Sequence, residues 1–131
     1  MKLISDIYFH GTEGDSIRQI LDSGLIQPNE QGEIFFSRYN WQSCLMHGTD
    51  PKRKASFVIK IEVEAPPDTG RVFSETPGVR DTVVLRTTHP IPATVLELYV
   101  RGKMQRDSEE PASLQIIKGH EAIRRFLAAS G

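Results

Sequence analysis

The stretch SFVIKIEVE, residues 56–64, places Phe57, Ile59, Ile61 and Val63 at alternate positions, with Lys60, Glu62 and Glu64 between them. A period of two sends successive side chains to opposite faces of a strand, so this run predicts a long strand with one apolar and one wet face. The backbone of such a strand needs hydrogen-bonding partners at its edges, and its apolar face needs a covering layer. The chain must therefore build a sheet and something to pack on it.

Shorter runs on either side supply the remaining elements. Residues 5–9 read as a first strand, and Asp15 is placed to cap a helix in which Ile17, Ile20 and Leu21 recur at helical spacing before Gly24, a C′ stop. The polar loop QPNEQGE (27–33) leads into IFFS (34–37), a buried-strand pattern, and a second helix is expected from Asn40 as cap to Gly48. After PPDTG, the runs TVVL (82–85) and TVLELYV (94–100) predict two more strands, with THPIP as the bend between them. The order β-α-β-α-β-β-β lacks the strict alternation of a doubly wound sheet and reads as α+β. With 131 residues, 38% of them hydrophobic, one core can close; a single domain is expected, its body at about residues 5–101. Residues 102–131 read as a polar connection and a final helix, EAIRRFLAA (121–129), with Ile123, Phe126 and Leu127 on one side.

Charge and composition exclude more than they identify. Sixteen basic against seventeen acidic residues give a net charge of -1, so no overall field favours nucleic acid or an anionic membrane. PKRK (51–54) is a local basic run whose plainest reading is a solvated loop. One cysteine, Cys44, forms no internal disulfide and sits among Trp41 and Leu45 as a small apolar residue; Trp41 also reads as core. No secretory leader or membrane span is evident, which gives a cytoplasmic expectation. The four histidines, at 10, 47, 89 and 120, lack metal-ligand spacing, no metal is expected, and neither a P-loop nor GxGxxG occurs. His47 and His89 read as a helix-end residue and a bend residue.

The remaining feature is IYFHGT (7–12), a strand that runs directly into His10, Gly11 and Thr12. Taken alone it is a half-buried strand entering a turn. Taken with the Gly24-Leu25 turn and with Gly32, Ile34 and Phe36 of the next strand, it resembles the ADP-ribosyltransferase superfamily, in the branch of diphtheria toxin and the poly(ADP-ribose) polymerases. The resemblance spans roughly residues 7–100 in element order. It implies a compact α+β fold with split, mainly antiparallel sheets and short helices around a cleft for NAD, the ADP-ribose donor.

In that resemblance His10 would hydrogen-bond a ribose hydroxyl, Gly11 would offer its backbone to the nicotinamide carboxamide, and Thr12 and Ser37 would join the cofactor site. Phe35 would stack on the nicotinamide ring, without the hydroxyl of the family's tyrosine. A carboxylate on the third strand would stabilise the cationic sugar as the nicotinamide leaves. Asp81 matches that acid best. The chain is also similar to the rifamycin ADP-ribosyltransferases, through His10-Gly11-Thr12 and through RTTHP (86–90), and that alignment selects Asp68. Glu75 is a third candidate.

The expected activity is transfer of ADP-ribose to a protein, a nucleic acid or a small molecule such as a rifamycin, with acceptor contacts in the loops TDPKRK and SETPGVR. The alternative is an inactive module that binds NAD or ADP-ribose, or a protein partner. The NAD-dependent RNA 2′-phosphotransferases rank lower, because Phe9 stands where they carry an arginine, although Arg53, Arg71 and Arg80 remain as phosphate contacts. A small scaffold without a nucleotide site is the most distant reading.

Overall fold

The alternating stretch forms a strand, Ala55–Ala65, in the interior of an antiparallel sheet. The computed structural model describes residues 4–38, 40–65, 71–73, 82–102 and 114–130. In chain order these form β1 (Ile4–Gly11), α1 (Gly14–Ser23), β2 (Leu25–Ile26), β3 (Glu33–Ser37), a 3₁₀ segment (Trp41–Gly48), β4 (Thr49–Asp50), β5 (Ala55–Ala65), β6 (Arg71–Phe73), β7 (Thr82–Arg86), β8 (Ile91–Gly102), β9 (Leu114–Lys118) and α2 (His120–Ser130). The strand order is β2-β8-β5-β1-β3-β7-β6, with β4 added to β5 and β9 to β8. Every pairing among the described residues is antiparallel. The chain is thus mixed α+β, a curled sheet with two short helices, and no helix among the described residues is long and apolar enough to cross a membrane.

Burial follows the period of β5. Phe57, Ile59, Ile61 and Val63 are all in the core, while Lys60 and Glu62 are half-buried and Glu64 is exposed. Val58 breaks the pattern at 0% exposure, because the 3₁₀ segment packs across β1 and β5 on the otherwise wet face. The apolar face is covered by Ile17, Ile20 and Leu21 of α1 and by Ile123 and Leu127 of α2. Each fully buried side chain of this kind stabilises the fold by roughly 1.5–3 kcal/mol. The two helices are also tied by the Arg124–Asp22 ion pair, so the last helix packs on the body of its own chain.

The ends of these elements depart from the sequence reading in instructive ways. Gly24 does close α1 in the left-handed region (φ 70°), its N–H bonded to Ile20 O at 2.8 Å. Asp15, however, is not the N-cap; the helix begins at Gly14 and Asp15 is drawn into an ion pair with Arg53. The second helix is a 3₁₀ segment, capped as expected by Asn40, whose side chain accepts from Gln42 N at 2.9 Å. Trp41 is half-buried, not core, and stacks on Tyr99 with ring centroids 5.4 Å apart. Four short strands were not anticipated: β2, β4, β6 and β9 have two to five residues each, too few for a period to register. Of these, β9 occupies part of what reads as polar connection. Where β8 leaves its register with β5, Ile61 pairs with Val95 and Lys60 with Glu97, which leaves Leu96 as an extra residue. Its carbonyl accepts from Gly119 N at 3.4 Å, immediately before α2.

Candidate functional site

Strand β1 is fully paired on one edge and barely paired on the other. All eight of its residues match β5, from Ile4↔Ala65 to Gly11↔Val58, whereas its register with β3 is a single pair, Phe9↔Ser37. Beyond that pair the two strands part. The gap is a cleft of about 300 Å³, lined by His10, Gly11 and Thr12 from β1 and its exit, by Glu33 and Phe35 from β3, and by His47 from the 3₁₀ segment. A smaller hollow of about 110 Å³ adjoins it beneath α1 and shares His10, Thr12 and Gln27, adding Ser16 and Gln19.

His10 bridges the parted strands. Its Nδ1 lies 2.8 Å from Phe35 O. A carbonyl only accepts, so Nδ1 carries the proton and the neutral ring keeps Nε2 as an acceptor. Burial lowers the imidazole pKa from its ordinary value; the Phe35 carbonyl opposes that shift, and the nearby His47 reinforces it. The ring is held in place by Phe36, 5.6 Å away, which also stacks on Tyr8 at 5.0 Å. Phe35 points the other way from its neighbours Ile34 and Phe36: those two are buried, and Phe35 is 44% exposed on the cleft. The imidazole therefore lies on the Phe36 side of β3 and the Phe35 ring on the opposite side, and the parted edge of the sheet is lined by residues from both sides.

Gly11 lines the cleft, and a separate packing demand also requires it to be glycine. A Cβ there would lie 2.0 Å from Cys44 O, so the glycine is demanded by the 3₁₀ segment resting on β1. Cys44 is buried, as its composition-based reading holds, with its Sγ 3.6 Å from Phe9 O. Ser37 is 2% exposed and its hydroxyl oxygen accepts from Asn40 N at 3.2 Å; it serves the junction between β3 and the 3₁₀ segment. Thr12 lines both hollows. Asp81, Asp68 and Glu75 lie outside the described residues, as does the loop SETPGVR. Thr82, which follows Asp81, pairs with Ser37, at the end of β3 away from the cleft; Arg86 and Val84 stand beside its mouth.

Two residues that the sequence reading left out belong to the cleft. The sequence reads His47 as a helix-end residue and Glu33 as the last residue of a loop. Glu33 starts β3 because Asn29 folds the loop back: its Oδ1 accepts from Gln31 N and Glu33 N, each at 3.0 Å. With Phe35 two residues on, Glu33 shares its face of the strand. Nothing in the sequence could have joined His47 to His10 across 37 positions.

The basic run PKRK contains one residue that cannot meet an acceptor or a phosphate. The Arg53 side chain is 1% exposed, bonded through Nη1 to Asp50 Oδ2 at 2.9 Å and through Nη2 to Asp15 Oδ1 at 3.0 Å. Asp50 is itself 2% exposed, and its carboxylate also accepts from Gly14 N and Arg53 N. Burial works against its charge, yet the bonds from Gly14 and Arg53 outweigh burial and hold its pKa below the ordinary value. Comparison of the chain with protein-family models, with curated proteins and with solved structures gave no match.

Proposed function

We propose that the cleft between β1 and β3 binds NAD by its nicotinamide riboside end and that the chain is an ADP-ribosyltransferase acting on a protein, a nucleic acid or a small molecule. What supports this reading is that His10 and Phe35 both belong to the lining of the cleft, from opposite sides of β3, with the imidazole fixed by Phe35 O. Neutral Nε2 suits acceptance from a ribose hydroxyl, and the exposed phenyl face suits a planar heterocycle. Departure of nicotinamide leaves positive charge on the ribose, and a carboxylate aimed there supplies the main stabilisation. Glu33 is the carboxylate the cleft itself presents; Asp81 and Asp68 remain the candidates from the resemblance.

The test is release of nicotinamide from NAD, with and without cell lysate as a source of acceptor. The expected result is release by the wild type, lost in His10→Ala and Phe35→Ala and reduced about 100-fold or more in whichever of Glu33→Gln, Asp81→Asn or Asp68→Asn removes the acid. A second reading, a module that binds the nucleotide without cleaving it, is favoured by the phenyl at position 35, which lacks a hydroxyl. Binding of NAD without release by the folded wild type would select that reading.

A further inference from the structure

The two adjoining hollows present a chemical imbalance. Their described lining includes Thr12, Ser16, Gln19 and Gln27 as neutral hydrogen-bonding side chains and Glu33 as an anion, and it includes no lysine or arginine. Among the described residues, Arg86 pairs with Glu33 at 3.9 Å, and Arg53 is closed in its network with Asp50 and Asp15. A ligand with a phosphate needs a cationic or strongly donating partner where that phosphate lies. Two imidazoles are the ring N–H donors of the described lining, and the Nδ1 proton of His10 is spent on Phe35 O.

We propose that His47 is the phosphate contact of this cleft, so that it selects a nucleotide over the corresponding nucleoside. This rests on the reading of the cleft as a nicotinamide nucleotide site. His47 is exposed, on the last turn of the 3₁₀ segment, and borders the cleft together with Phe35 and Glu33. Seated there, its ring N–H donates to phosphate oxygen. The ring-binding face of Phe35 needs no such help.

Nicotinamide mononucleotide and nicotinamide riboside differ only in the phosphate, and their binding to the full chain by calorimetry tests the assignment. The expected result is that His47→Gln weakens the mononucleotide about 10-fold, leaves the riboside within about twofold, and is rescued for the mononucleotide by His47→Arg. Because His47 is exposed, all three proteins should share one thermal midpoint. If His47→Gln changes neither ligand, or weakens both alike, the phosphate role is overturned while the nicotinamide site stands. If the wild type binds neither ligand, the site and the phosphate role fall together.

Discussion

At the scale of single residues, the positions that look alike in sequence do different work. His10 and Gly11 are neighbours in one motif and both line the cleft, yet Gly11 must also make room for the Cys44 carbonyl. Gly11→Ala should therefore destabilise the fold by about 2 kcal/mol through overpacking against backbone, visible as a lower denaturation midpoint whether or not ligand is present. Phe35→Ala should behave oppositely. Its ring is exposed, so stability should change by no more than about 0.5 kcal/mol in urea titration, while thermal stabilisation by NAD is lost. An equal loss of stability in both variants would show that Phe35 is a core residue.

At the scale of elements, the sequence is most legible where a period is long. The eleven residues of β5 and the ten of α1 declare themselves through Phe57, Ile59, Ile61 and Val63 and through Ile17, Ile20 and Leu21. The two-residue strands carry no period, and the 3₁₀ segment shows only its Asn40 cap and Gly48 end. The lining of the cleft is half legible: the sequence singles out His10 and Phe35, whereas Glu33 and His47 need the loop closure by Asn29 and the seat on Gly11 to join them. The start of α1 depends on a distant turn that no local pattern displays. Asp50 holds Gly14 N and Arg53, and Arg53 holds Asp15. Asp50→Asn should cost about 3–5 kcal/mol because it strands a buried guanidinium, whereas Lys52→Gln and Lys54→Gln, at exposed positions of the same run, should be neutral within about 0.5 kcal/mol. Chemical denaturation of the three variants decides it.

At the scale of the whole molecule, two groups among the described residues have lowered pKa values and contribute to the response to acid. For His10 the unfolded chain takes up a proton near pH 6.5 and the folded chain at lower pH, so stability falls as pH drops through that window. For Asp50 the folded state keeps its charge below 3.8, so its contribution is present above that value and is lost as pH falls through the lower, folded pKa. Stability measured against pH should decline in two stages; His10→Gln should remove the upper one and leave the lower. The pairing map also fixes an order of events during synthesis. The first strand finds its long edge only in residues 58–65, and those residues in turn await residues 93–102. An emerging chain therefore has no stable intermediate made of residues 4–65 alone: the histidine motif must stay unsheltered until residues 93–102 have left the ribosome.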